Sequence, residues 1–271
     1  MAVQERENDL VLATFGRGFY VMDNYAPLRE LVSENLEKPA HIFAVKDALM
    51  FNTWAPLGSL GSREKGFQGE DYFTAPNPKK GATFTYWLKE GVSTLKVDRS
   101  KREKEAFQNN QAIPYPTVDE LKKENSERPS YLIFTIRDAE GDVVSELRTA
   151  VSKGLNSINW DLTYAGFNAV NARQAAATSN LPSSNVYVVP GSFTVALSQN
   201  IKGELSDLTG PITFIVKDID NRTLPATDRK ALATFKKKAL KLSGAINASR
   251  SMLRSMTNKI SSYKAATKAF P

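Results

Sequence analysis

The 271-residue sequence contains no cysteine and one histidine, His41. Disulfides and thiolate metal sites are thereby excluded, and a single imidazole leaves little room for a histidine metal centre or a Ser-His-Asp triad. His41 reads as a surface or hydrogen-bonded side chain. No apolar run reaches the roughly 18 residues that a membrane-spanning helix needs. The opening MAVQERENDL is polar and acidic, unlike a secretory leader with its basic start and apolar centre. Glycine-rich phosphate loops, nucleophile elbows and zinc spacings are missing as well. These gaps leave the chain with no assigned catalytic residue, no metal and no cofactor.

What is present suits a globular, mainly β protein. Hydrophobic residues make up 41% and aromatics 10%, a composition that folds rather than one that stays disordered. The net charge of +7 is unevenly spread. Residues 226–271 carry 11 Lys and Arg against the single Asp228, a net +10, which leaves residues 1–225 at −3.

Alternation of apolar and polar residues marks the strands. DLVLATFGRGFYVMDN reads as a hairpin, Leu10 to Phe15 and Phe19 to Met22, around a Gly-Arg-Gly turn. A two-stranded hairpin alone is marginal in water, so it needs a further partner. APLREL reads as a helical turn with Pro27 at its start, and HIFAVKDALMF as one strand. Residues 55–80 hold four glycines and three prolines and read as a linker loop. GATFTYWL, YLIFTIR, DVVSEL, GLNSINWDLTY, VVPGSFTVALSQNI and GPITFIVKDI then supply short strands with turn residues between them. That spacing predicts an immunoglobulin-like antiparallel sandwich over 81–220. Residues 89–129 interrupt it as a charged, exposed insertion. Within it Thr117 and Glu120 have the spacing of a capping box for a helix from Val118 to Asn125.

From Thr227 onward the period lengthens. Leu232, Phe235, Ala239, Leu242, Ile246, Ser249, Leu253, Met256, Ile260, Tyr263, Thr267 and Phe270 recur at alternating three- and four-residue steps. This is a heptad stripe on a helix of about 40 residues, or about 60 Å. Asp228 favours the helix start, and Gly244 is the one place where a break or bend would be cheap. A stripe led by Leu232, Phe235, Leu242, Ile246, Leu253, Met256 and Ile260 needs a second helix, a second copy or an anionic surface. Tyr263 and Phe270 fall on the stripe and are not interleaved with the basic residues, which argues against a single-stranded nucleic-acid platform.

Candidate ligand residues are few. A glycosidase needs two carboxylates about 5 to 10 Å apart. Glu70 and Asp71, beside Tyr72 in the 55–80 loop, are one candidate set for a sugar-facing surface. Asp138, Glu140 and Asp142 are better explained by the turn they occupy. Arg17, between two glycines, could meet an anion, although a hairpin turn alone accounts for Gly16 and Gly18.

In order, the GRGFYVMDN strand, the PLRE turn, NPKKGATFTYWL, IRDAEGDVV, GLNSINWDL, PGSFTVAL and the helical tail resemble the C-terminal part of bacterial sortilin N-terminal-like, BNR-repeat glycosyl hydrolase-like propeller proteins. The resemblance implies that residues 1–54 are the remnant of a last propeller blade, followed by the Ig-like module and the basic helix over 226–271. It further implies a non-catalytic fragment that supports a propeller and presents a protein or glycan contact surface. The alternative it carries is a glycosyl hydrolase-like enzyme whose active site lies mostly in other blades. Export of the intact protein is expected on the same ground. Phe15 stands where relatives often have histidine, and Asp-box repeats do not occur.

Overall fold

A computed structural model describes residues 1–51, 79–113, 115–166, 183–219 and 227–269. The protein is mainly β, with 38% of the described residues in strands, one sheet curled into a half-barrel, and a long C-terminal helix. The N-terminal hairpin is β2 (Asp9–Thr14) and β3 (Gly18–Met22), and a short β1 (Ala2–Gln4) pairs with β2 to make a three-stranded sheet in the order β1-β2-β3. The hairpin thus gains one partner, and β3 keeps an open edge among the described residues. Gly16 and Gly18 both take positive φ, +78° and +79°, as the tight turn demands.

Helices α1 (Ala26–Arg29) and α2 (Ser33–Glu37) lead to β4 (Ala40–Ile42) and β5 (Ala48–Met50). The single strand expected over HIFAVKDALMF is therefore two. Ala40 and Ile42 face the core from one sheet and Ala48 and Met50 from another, while the charged Lys46-Asp47 step between them stays accessible to water. Residues 40–50 consequently pair with strands of the 82–218 stretch and not with β1–β3.

Those strands are β6 (Ala82–Leu88), β7 (Tyr131–Arg137), β8 (Val143–Ala150), β9 (Gly154–Trp160), β10 (Thr163–Ala165), β11 (Ser183–Tyr187), β12 (Gly191–Ile201) and β13 (Glu204–Asp218). One sheet runs β5-β13-β12-β7-β8, a second runs β4-β6-β9, and β10 pairs with β11. Pairing is antiparallel except between β5 and β13. The two-residue period decides what lies inside. Ala82, Phe84, Tyr86 and Leu88 turn inward from β6, and Leu132, Phe134 and Ile136 from β7. Phe84 packs on Phe134 at 6.2 Å and on Phe214 at 5.3 Å, and Trp160 packs on Phe193 at 5.5 Å. This aromatic layer joins the two larger sheets. The Trp160 indole N–H donates to the Thr163 carbonyl at 3.0 Å, so its polar end is satisfied where it is buried.

The insertion holds two helices, α3 (Leu95–Gln108) and α4 (Val118–Ser126). The capping box forms at α4: Thr117 Oγ1 accepts the Glu120 N–H, and the Glu120 carboxylate accepts the Thr117 N–H. Helix α3 has no apolar stripe to announce it. Strong helix formers, a Thr94 cap and the Arg99 guanidinium hold it: Arg99 donates to Glu124 at 2.6 and 3.0 Å and to Glu103 at 2.7 Å.

The last element, α5 (Arg229–Ala269), runs 41 residues without a break. Asp228 Oδ1 accepts the Ala231 N–H at 2.9 Å, and Arg229 pairs with Asp218 at 2.7 Å, fastening the helix start to the end of β13. Gly244 does not interrupt the helix; it is buried mid-element. The positions turned toward the body are Ala233, Lys237, Leu240, Gly244 and Ala248, and the Lys237 ammonium lies 4.3 Å over the Tyr164 ring.

Candidate functional site

The outward row of β6 and β9 is polar for the same reason that its inward row is apolar. Thr83 stands opposite Asn159 and Thr85 opposite Ser157, and together they floor a cleft of about 670 Å³. Cavities of this size hold small ligands. Glu7, Asp9, Asp23 and Asn24, at the base of the N-terminal sheet, form one wall; Lys46 and Asp47, between β4 and β5, form another. Phe51, Lys79 and Lys80 lie at the rim.

The walls are cross-linked. Lys46 pairs with the Glu7 carboxylate and donates to the Glu7 carbonyl at 3.2 Å, which ties the sheet to the body. The hydrogen bond from Lys46 holds the Glu7 carboxyl below its ordinary value, so it stays ionised at neutral pH. Asp9 accepts the Asn24 N–H at 2.9 Å, and Asp47 pairs with Lys217 at 2.5 Å. On the floor, Thr83 donates to Asn159 at 3.0 Å and Asn159 donates to the Lys80 carbonyl at 2.9 Å. The Lys80 ammonium donates to the Tyr187 hydroxyl at 3.1 Å and sits 4.4 Å from that ring centre. Asn24, in the left-handed region at φ +47°, has its Oδ1 buried in the wall, where it accepts no hydrogen bond among the described residues.

The lining therefore offers hydroxyls, amides, carboxylates and ammonium groups in mixture, with an aromatic ring at the edge. Such a surface can orient a polyhydroxylated molecule by hydrogen bonding. Among the described residues no group of His, Cys, Asp and Glu is arranged to hold a metal ion.

Of the residues singled out in the sequence, Arg17 sits exposed at the tip of the β2–β3 turn and is not a cleft residue. Glu70, Asp71 and Tyr72 lie outside the described residues. Asp138 and Asp142 close the β7–β8 turn, Asp138 Oδ1 accepting the Asp142 N–H at 2.9 Å. His41 lies 3.6 Å from Glu30 and edge-on to Phe43 at 5.0 Å. Sequence reasoning misses the cleft residues Thr83, Thr85, Ser157 and Asn159. Their signal is the polar half of a strand alternation, which most exposed strands share.

On α5, Leu232 is half-buried, whereas Phe235, Leu242, Ile246, Leu253, Met256 and Ile260 are all exposed. Phe270 lies outside the described residues. Among the described residues no helix is long and apolar enough to cross a membrane. Compared with protein-family models, curated proteins and solved structures, the chain gives no match.

Proposed function

We propose that the chain is a non-catalytic interaction module of a sortilin-like, BNR-repeat propeller protein. Its N-terminal sheet closes a propeller, and the cleft beside that sheet meets a glycan. The observation that carries this reading is a sheet with two apolar faces and, among the described residues, full cover on neither. Register places Val3, Leu10, Leu12, Tyr20 and Met22 on one face and Val11, Ala13, Phe19 and Val21 on the other. All five residues of β3 are exposed. A sheet resting on one core alternates apolar and polar residues, whereas a propeller blade is covered by a neighbour on each side. The two-sheet body supports an immunoglobulin-like sandwich beside the blade, with its largely antiparallel strands and its layer of aromatics around Trp160.

Amide exchange tests the reading. In the chain alone, amides of Leu10 to Met22 should exchange at least about 100-fold faster than those of β7 and β12, as expected of a weakly covered sheet. Mixing with an open BNR-type propeller that lacks its closing strands should restore protection. Core-like protection of β2 and β3 in the chain alone would count against the proposal. For the cleft, Thr85→Arg should abolish binding of neutral oligosaccharides in a titration while leaving the melting temperature within a few degrees.

One observation favours a second reading, a glycosyl hydrolase-like enzyme: four carboxylates, Glu7, Asp9, Asp23 and Asp47, border one cleft. Glycoside cleavage needs one carboxyl kept protonated, and Lys46 drives Glu7 the other way. Release of reducing sugar that disappears in Asp23→Asn would favour the enzyme.

A further inference from the structure

The exposed face of α5 carries chemistry of its own. Phe235, Leu242, Ile246, Leu253, Met256 and Ile260 form a seam on roughly the opposite side of the helix from the buried Ala233 and Gly244, at about 100° per residue. From Leu232 to Tyr263 the seam extends about 47 Å at 1.5 Å per residue. Between Ser249 and Lys268 every side chain is exposed, so this half of the helix has no cover from the described body. A helical stretch of about 20 residues without tertiary contacts is marginal in water. It needs cover along the seam.

Charge decides among the possible covers. With Leu232 and Phe235 at the a and d positions, the flanking e and g positions include Lys236, Lys238, Arg250, Lys259 and Lys264, and α5 contains no acidic residue. In a pair of identical helices these flanks would face each other, and like charges at e and g oppose pairing. A membrane-surface helix buries a broad apolar sector. Here Lys, Arg, Ser and Thr border the a/d seam closely, which is the narrower geometry of a coiled coil.

We propose that the outer face of α5 docks an acidic amphipathic helix, with Leu or Ile at its seam positions and Glu at its flanks, in a two-stranded coiled coil. Attraction across the e and g positions sets the pairing, and the seam supplies the contact area.

The test uses the full chain and two synthetic 35-residue heptad peptides with identical Leu/Ile seams, one with Glu and one with Lys at e and g. Titration followed by circular dichroism should show binding of the Glu peptide with micromolar Kd and a gain of helix. The Kd should rise at least about 10-fold from 50 to 500 mM salt, and the Lys peptide should bind at least about 100-fold more weakly. The double variant Leu253→Asp/Ile260→Asp changes exposed positions and should lose Glu-peptide binding at an unchanged melting temperature. A charge-reversed variant, Lys238→Glu/Arg250→Glu/Lys259→Glu, should prefer the Lys peptide. Equal binding of both peptides would overturn the proposal. So would a micromolar dimer of the chain in sedimentation, or uptake by phosphatidylserine vesicles without any response to the Glu peptide.

Discussion

A Cβ placed on Gly81 would lie 1.9 Å from the carbonyl oxygen of Trp160. Gly81 precedes the first residue of β6, Ala82, which pairs with Trp160 at the end of β9, so the close approach locks the two strands at the edge of the cleft. Gly81 also has φ +116°. Gly81→Ala should therefore destabilise the fold by roughly 3 kcal/mol, combining backbone strain of about 1–2 with overpacking of about 1–3. Gly154, at φ +99° with open space around it, should cost only the strain, about 1–2 kcal/mol as alanine. Urea unfolding of both variants checks the difference.

Acid should loosen the inserted helices before the body. Arg99 holds the Glu124 carboxyl below the ordinary value of 4.5, and the Thr117 N–H does the same for Glu120. A carboxyl held low in the folded state contributes its full stabilisation above the unfolded value and loses it as pH falls through the folded one. Protection of α3 and α4 amides should thus begin to fall near pH 4.5 and fall further below it, while β7 and β12 remain protected. Glu124→Gln should reproduce the loosened state at neutral pH. Unchanged exchange at about pH 3 would refute the link.

Asp228 caps a helix whose outer half has no cover among the described residues. Asp228→Ala removes the acceptor for the Ala231 N–H and should cost about 1 kcal/mol of helix stability. Circular dichroism at 222 nm should fall, and Asp228→Asn should restore most of the signal because the amide oxygen still accepts.

The aromatic layer should be the most sensitive part of the core. Phe134 is fully buried and lies 6.2 Å from Phe84 and 5.0 Å from Tyr86. Phe134→Ala should cost about 3–5 kcal/mol. Phe134→Leu, which keeps more of the volume, should cost less than half of that, as read from the denaturation midpoint at constant slope.

Several features are legible in the sequence alone. The alternation in ATFTYWL and YLIFTIR names the buried side chains of β6 and β7 one by one, because a strand has only two faces. Thr117 and Glu120 mark the start of α4 because a capping box depends on groups three residues apart. The break in HIFAVKDALMF is harder to read: both halves carry apolar residues, and only pairing to different sheets separates them. Helix α3 is invisible there because Arg99 finds Glu124 25 residues away.

By itself the sequence determined what local chemistry can determine: the strand faces, the turn glycines, the α4 cap, and the long heptad helix with all of its charge of one sign. Tertiary structure decided which strands share a sheet, which side of α5 meets the body, and that Thr83, Thr85, Ser157 and Asn159 floor a cleft walled by Glu7, Asp9, Asp23, Asn24, Lys46 and Asp47. These are contacts between distant segments, and a periodic pattern encodes the face a residue takes without naming the partner that will cover it.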